Sequence, residues 1–429
     1  MKILLVAPFF PPLHDVASLR THAFADTWAK AGHDVTVLTT AKRADHSGLD
    51  LPCDGFEVNE IAYPVPRLLE KLRGQHKTPT APATSRGWFA WLRRLRTTTG
   101  VFSSVRMPDL TDFWVQPAIH WARRRARRDH GWDVVVSSSG PYTANLVARS
   151  LRRHGLALHW LADFRDLWTD NHIYRGLFPF TLRERRLEAA CLRDADQFTA
   201  ATDGLADKLR AKTSKSVETI YNGTDPAAHA ALPEERFFPD DGMRRLVYTG
   251  TLYPHGQDAS LLWQAMQLLR KRDPRALAKL RFVVAGAGCP LWCADARSQG
   301  FADLLDVRGS VPRADALRMQ RDADALLLVD WRDPSQGVLT GKVFEYFQSS
   351  APIALVSGSA TSSLARLVAQ ANRGHVLRDA SSLADLLADP SRFTTSPNRA
   401  LLATLTRSHQ SQRMLALFDT SPPRRTLAA

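Results

Sequence analysis

Short continuous apolar runs alternate along this chain with stretches whose apolar residues recur at helical spacing. Residues 2–7 (KILLVA) are the first run, stopped by Pro11-Pro12. Residues 18–31 read as a helix ending before Gly32, and residues 34–39 (DVTVLT) resume an extended pattern. The same alternation returns with strands at 133–136, 157–162 and 197–200 and helices at 142–154 and 181–193. Strands apolar on both faces and separated by helices predict a parallel sheet covered on both sides. Residues 233–242 (PEERFFPDDG) are polar and charged, as an interdomain connector would be. A second series follows, with strands at 246–249, 280–285, 304–307, 325–329 and 353–356 and helices near 258–271, 313–321, 341–348 and 361–371. The pattern therefore predicts two doubly wound α/β domains.

Composition narrows the class. A chain of 429 residues with 44% hydrophobic, 23% charged and 9% aromatic residues is that of a globular protein, neither disordered nor collagen-like. Its longest apolar runs, at 3–10 and 325–329, fall well short of the roughly 20 residues needed to cross a bilayer. The apolar start lacks a small-residue cleavage site and reads as a buried strand rather than a signal peptide. Four cysteines are too few for a disulfide framework, and Cys289 with Cys293 lacks a second ligand pair for zinc. Free thiols in a reducing cytoplasm are expected, and no metal site.

The net charge of +14 is uneven: +11 of it falls between Arg67 and Arg128. Helical spacing within 88–96 (WFAWLRRLR) places Trp88, Trp91, Leu92 and Leu95 on one stripe, with Arg93 and Arg94 roughly opposite. A second cluster holds Arg123, Arg124, Arg125, Arg127 and Arg128. The segment 67–128 suits an anionic membrane surface, each basic residue adding about 1 kcal/mol near anionic lipid. The competing reading is an aromatic stripe packed on the chain's own core with solvated arginines. Nucleic acid is a poor fit, because no DNA- or RNA-binding motif accompanies the basic runs.

In open parallel sheets, ligands bind beyond the carboxyl ends of the strands, so the loops there are where chemistry is sought. The first half offers His14 and Asp15 after Pro11-Pro12, Arg20 in the following helix, residues 137–140 (SSSG) before a helix start, and residues 163–170 (DFRDLWTD). The serines precede helix N–H groups that favour anions, although Ser and Gly are also ordinary caps. Arg165 between Asp163 and Asp166 is either an internal brace or a polar site wall. In the second half, Gly250 and Thr251 follow a strand directly, and Gly341, Lys342 and Glu345 open a helix. A lysine in a first helical turn opposes the helix dipole unless an anion lies beside it, which points Lys342 at a phosphate. Glu345, one turn on, could accept from a vicinal diol. The dinucleotide fingerprint fails because Leu291 stands at its third glycine position, and no phosphate-loop, zinc-protease or serine-hydrolase motif is present.

These residues resemble glycosyltransferase family 4, the retaining nucleotide-sugar-dependent enzymes of the GT-B fold. The likeness runs from Met1 to about Leu377. It rests on the opening MKILLVAPFFPP with Arg20 and residues 32–39 (GHDVTVLT), Pro108-Asp109 ahead of Trp114, residues 162–169 (ADFRDLWT), 220–223 (IYNG), 248–253 (YTGTLY) and 341–347 (GKVFEYF). The resemblance implies an α/β GT-B architecture: two Rossmann-like doubly wound parallel-sheet domains facing across a cleft. It places an acceptor-binding domain at 1–238, a nucleotide-sugar-binding domain at 243–400, and a C-terminal helix and tail at 401–429, the end of the tail disordered. The implied donor site contains Asn222, Gly250, Thr251, Gly341, Lys342 and Glu345, with Glu345 matching the second glutamate of the family's Glu, seven residues, Glu motif. His14, Asp15, Arg20 and Ser139 are candidates for the acceptor, and Arg165 and Asp166 are the candidate catalytic residues.

The implied activity is metal-independent, retaining transfer from a nucleoside-diphosphate sugar to a lipid-linked bacterial glycan, in cell-envelope or polysaccharide synthesis. No cofactor is expected. The enzyme would be cytoplasmic and associated with the inner face of the cell membrane. The chain departs from the family at Gly337, in place of the first motif glutamate. Thr251 and Gln257 stand where a basic pair is usual, and Asp15-Val16-Ala17 replaces paired glycines. Those departures leave Lys342 as the clearest phosphate cation. They also keep a second reading open, a non-catalytic nucleotide-sugar-binding or scaffold member of a glycan-assembly complex, and a third, an epimerase on nucleotide sugars.

Overall fold

The computed structural model describes residues 1–42, 48–66, 88–253 and 256–419. The chain divides into two compact units, one of residues 1–222 with 407–429, the other of residues 223–406. The division falls at Asn222/Gly223, earlier than the polar connector suggests. Residues 233–242 belong wholly to the second unit, tied down where the backbone N–H of Phe237 donates to Asp322 (2.6 Å). The C-terminal segment is also not a separate tail, because the helix Arg407–Asp419 returns to the first unit. Residues 420–429 lie outside the described residues.

The first unit is built on seven parallel strands: β1 (Lys2–Val6), β2 (Asp34–Thr40), β3 (Glu57–Ile61), β4 (Trp132–Ser139), β5 (Ala157–Phe164), β6 (Gln197–Ala200) and β7 (Val217–Thr219). Their order, β3-β2-β1-β4-β5-β6-β7, is that of a doubly wound sheet whose direction of growth reverses between β1 and β4. Ile3, Leu4, Leu5 and Val6 of β1 are fully buried, which is why this strand shows no polar alternation. β3 escapes the apolar-run pattern because it is an edge strand with polar residues, EVNEI.

The helix Val16–Lys30 starts where the Asp15 side chain accepts from the Ala17 N–H (2.8 Å). It buries Phe24 and Trp28, whose rings stack at 5.3 Å. The Trp28 indole N–H donates to the Ser411 carbonyl (3.0 Å) and the ring meets Phe418 edge-on at 5.5 Å, seating the returning helix. A buried indole both covers apolar area and places its N–H on a partner, so one residue near the start of the chain fixes a segment almost 400 positions away.

The second unit repeats the plan with six parallel strands: β8 (Arg244–Thr249), β9 (Leu280–Ala285), β10 (Leu305–Gly309), β11 (Ala325–Val329), β12 (Ile353–Val356) and β13 (Gly374–Leu377). The order is β10-β9-β8-β11-β12-β13, with the switch point between β8 and β11. Trp292 centres its core, meeting Tyr248 and Phe282 at 5.0 Å and Trp263 at 6.1 Å.

Among the described residues no helix is long and apolar enough to cross a membrane. In the basic region, residues 67–87 lie outside the described residues, while helices Trp88–Thr99 and Asp112–Asp129 are formed. On the first of these Trp91 is 61% exposed and Leu95 half-buried, so Trp91 is not packed on a core. The side chains of Trp88, Leu92 and Arg93 lie outside the described residues.

Candidate functional site

The carboxyl ends of β4, β5 and β6 and the first turns of helix Val16–Lys30 are tied together by a buried ion pair. Arg20 is 1% exposed and Asp163 is 0% exposed. The guanidinium grips the carboxylate twice, Nη2 to Oδ1 at 2.7 Å and Nε to Oδ2 at 3.1 Å. Asp163 also accepts from Ser138 Oγ (2.9 Å) and Thr199 Oγ1 (2.8 Å), so β4, β5 and β6 all bond to one carboxylate. Burial alone would raise its pKa, but Arg20, Thr199 and Ser138 outweigh burial and hold it below the usual carboxylate range. The remaining Arg20 nitrogen, Nη1, donates to the Tyr221 carbonyl (2.8 Å) and reaches Asn222 Oδ1 at 3.5 Å. Arg20 is thus consumed by partners inside the first unit. It shapes the strand-end surface from inside the first unit. Asn222 is likewise the last residue of the first unit, reached by Arg20.

Ser139 ends β4 with its hydroxyl buried and donating to the Asp163 carbonyl (3.1 Å). Arg165, just past β5, donates from Nε to the Ser139 carbonyl (3.2 Å) and from Nη2 to the Gly140 carbonyl, lies 3.9 Å from Asp15, and stands over the Phe9 ring. Burial lowers its pKa, opposed by Asp15, Asp166 and Asp163. Arg165 is therefore a brace, and it brings the loop of Asp15 next to the loop after β4. Asp166 is half-buried and has no hydrogen-bond or ion-pair partner among the described residues, though its charge acts on His172. Burial lowers the pKa of that histidine and Asp166 opposes the shift. His172 had no motif to reveal it; the fold alone brings it to Asp166. His14 lies on the Pro-Pro loop, exposed.

In the second unit, β8 and β9 end in glycines that let backbones meet. Gly250 has φ +106° and Gly286 φ +105°. A Cβ on Gly286 would lie 2.8–2.9 Å from Gly250 backbone atoms, and one on Gly288 would lie 2.9 Å from the Leu252 nitrogen and 3.0 Å from the Gly250 carbonyl. The contact is closed by Gly288 N–H donating to the Gly250 carbonyl (3.1 Å). Residues 286–288, which fail as a dinucleotide fingerprint, thus serve the close approach of two strand-end loops.

Lys342 lies across Gly250: a Cβ there would come within 3.0 Å of its Cε. The ammonium donates to the Thr251 carbonyl (3.0 Å) and Tyr248 Oη (3.1 Å) and sits 4.8 Å from the centre of the Tyr248 ring. It makes no ion pair among the described residues, and burial pulls its pKa down to about 8 despite the attraction of Glu345. The helix here, Lys342–Tyr346, has five residues rather than eight, so the cation itself and not a macrodipole is the attraction for an anion. Gly341 is its N-cap. Glu345 accepts from Gln320 Nε2 (3.3 Å), which also bonds Thr249 (2.9 Å), and lies 3.7 Å from Arg313. One carboxylate oxygen is thus oriented by Gln320 and the other by Arg313, an arrangement that sequence spacing could not reveal.

Two departures from the family pattern gain structural reasons. Gly337 has φ +66°, the left-handed conformation, where a glutamate would be strained by roughly 1–2 kcal/mol. Gln257 is 5% exposed and bonded to the Val329 carbonyl (2.6 Å) and the Tyr253 N–H (3.0 Å), so a structural amide occupies that position.

Breaking the Arg20–Asp163 pair from one side leaves a buried charge alone. Arg20→Met should lower the unfolding free energy in urea by about 3–5 kcal/mol, and the double change Arg20→Met with Asp163→Leu should cost less than Arg20→Met by itself. A loss below about 1 kcal/mol for the single change would contradict this role.

Residues 17–223 match the family model for a glycosyl transferase 4-like domain. No curated protein matches the sequence. Among solved structures, sucrose-phosphate synthase from Thermosynechococcus elongatus is 15% identical with a TM-score of 0.62, each chain covered to 98%. A structure described as trehalose-6-phosphate from E. coli bound with UDP-2-fluoro glucose is 12% identical, TM-score 0.59, covering 99% of this chain and all of the other. The lipopolysaccharide outer core galactosyltransferase WaaB, in its apo form, is 13% identical, TM-score 0.55, covering 98% of this chain and all of the other. At these identities the structural likeness is one of fold, and the fold is that of two doubly wound parallel-sheet domains. The chain therefore has the GT-B fold and carries, over residues 17–223, a match to a glycosyl transferase 4-like domain.

Proposed function

We propose that the protein transfers a sugar from a nucleoside-diphosphate sugar to a lipid-linked acceptor in bacterial cell-envelope glycan or polysaccharide synthesis, with retention of configuration and without a metal. The observation that carries the donor assignment is the Lys342 ammonium, held at the carboxyl end of β8 with no carboxylate paired to it among the described residues. A cation in that setting is stabilised by a diphosphate, and the Gly250 turn beside it offers bare backbone for close approach. Glu345, oriented by Gln320 and Arg313, accepts from the ribose hydroxyls. The reading is supported by a neighbour of this fold described as bound with UDP-2-fluoro glucose and by another, WaaB, named a lipopolysaccharide outer core galactosyltransferase.

On the acceptor side, Asp15, Arg165 and Asp166 form the polar wall. Asp166 accepts a hydrogen bond from the acceptor hydroxyl and orients it, Arg165 supplies positive charge, and His14 adds a donor or acceptor at the rim. As the bond to the sugar breaks, a leaving phosphate oxygen takes the acceptor proton on the same face of the ring. Lys342 stabilises the charge left on the diphosphate, so that positioning and electrostatics supply the catalysis. The exposed Trp91 and the arginines of helix Asp112–Asp129 bring the protein to the anionic inner face of the cell membrane, where a lipid-linked acceptor resides.

Nucleotide binding should carry the signature of Lys342. Because its pKa in the free protein is about 8 and a bound diphosphate raises it, binding takes up a proton above that pH. UDP or GDP affinity, measured calorimetrically, should be flat below about pH 7 and fall up to tenfold per unit above about pH 8; Lys342→Met should weaken binding roughly 10- to 100-fold and flatten the profile. Failure of both nucleotides to bind protein that melts cooperatively would favour the non-catalytic reading.

On vesicles containing anionic lipid, Trp88→Ser with Trp91→Ser should lower the bound fraction several-fold while leaving nucleotide affinity unchanged. Binding equal to that of the unaltered protein would remove the membrane assignment.

A further inference from the structure

The second unit has a cavity of about 790 Å³ at the amino ends of its strands, the end of the sheet opposite to Lys342 and Glu345. Its lining includes Arg244 at the start of β8, Asp324 before β11, Arg373 before β13, Phe393, and Arg399 at the start of helix Arg399–Thr404. Arg373 is 4% exposed. Its Nη1 donates to Thr395 Oγ1 at 3.3 Å, but Nε and Nη2 have no partner among the described residues. A guanidinium cannot escape burial by losing its proton, so an unpaired one is costly unless an anion meets it.

The carboxylates nearby do not meet that need. Asp324 accepts from the backbone N–H of Arg245 (2.7 Å), and Asp389 is occupied by Ser391 and Arg392; neither forms an ion pair with Arg373, Arg244 or Arg399. Arg244 gives Nη1 and Nη2 to the Ala388 and Ala276 carbonyls and keeps only Nε without a partner among the described residues, so the cations with most donors left are Arg373, whose Nε and Nη2 lie just beneath the cavity wall, and Arg399 at the rim. Phe347, Phe393 and prolines supply apolar wall, and Ser350 and Thr394 supply hydroxyls. The volume is that of a site for a small organic molecule and exceeds what a bare anion fills.

We propose that this cavity binds a small molecule bearing a phosphate group, with the phosphate on Arg373 and Arg399 and the organic part against Phe347 and Phe393. The site is distinct from the donor site, and Phe347 and Gln348 in its wall directly follow the helix that carries Lys342 and Glu345. A ligand held there touches the same stretch of chain from its other end.

The test is thermal melting of the full-length protein with ribose 5-phosphate, inorganic phosphate and ribose as probes. Ribose 5-phosphate at about 10 mM should raise Tm by roughly 2–4 °C, and ribose should not. A smaller rise with inorganic phosphate identifies the organic ester as the better ligand, and an equal rise identifies the free anion. Lys342→Met should keep the shift, because the donor site is not involved. Arg373→Met should abolish it and, by removing an unpaired buried charge, should not lower the Tm of the free protein. Arg399→Ala, at the exposed rim, should reduce the shift at least several-fold even if Arg373→Met fails to fold. No rise with either phosphate, a rise retained in Arg399→Ala, or one lost in Lys342→Met would overturn the assignment.

Discussion

A guanidinium and a carboxylate removed from water, Arg20 and Asp163, hold the strand ends of the first unit in register. Helix Val16–Lys30 supplies the cation, β5 the anion, and β4 and β6 the hydroxyls that complete the carboxylate's hydrogen bonding. The cation's third nitrogen fixes the backbone at Tyr221, where the unit ends. Such a pair adds little net stability over an apolar replacement, but it penalises any arrangement that separates its members. Its value lies in specifying one geometry for the loops beyond the strands, including the position of Arg165 over the carbonyls of Ser139 and Gly140.

The second unit solves the same topological problem by other means. Where the first unit locks its strand ends with charge, this one brings them together with glycines at 250, 286 and 288, whose missing side chains let backbone meet backbone. The cation placed over that turn, Lys342, has only a carbonyl, a phenol and a ring face for company. One unit thus holds a satisfied buried charge and the other a cation without a carboxylate paired to it among the described residues. The cavity at the amino ends of the second sheet shows the same imbalance at Arg373.

Much of this was legible in the residue pattern. Buried parallel strands announce themselves as apolar runs, and ten of them lay where the spacing placed them. The edge strand β3 did not, because EVNEI is polar and nowhere fully buried, and neither did β7 or β13, which are three and four residues long. The domain boundary was missed because a polar, proline-containing stretch resembles a linker even when its backbone is bonded to Asp322. Nor does helical spacing reveal that the C-terminal helix returns to Trp28, since only tertiary packing fixes that contact. At the site, Lys342, Glu345 and Gly250 came from local motifs, and the structure gathers them. Arg20 and Ser139 were visible as polar residues in the right loops, but their partners are 143 and 24 positions away, and those partners decide that they brace the site.

The account stands or falls on whether Lys342 recognises a diphosphate. The most direct measurement compares the affinities of UDP and UMP, or of GDP and GMP, for the unaltered protein and for Lys342→Met at pH 7. If Lys342 meets the second phosphate, the diphosphate should bind the unaltered protein roughly tenfold or more tightly than the monophosphate, and the variant should lose most of that preference. Equal loss for both nucleotides, or a preference that survives the substitution, would contradict it.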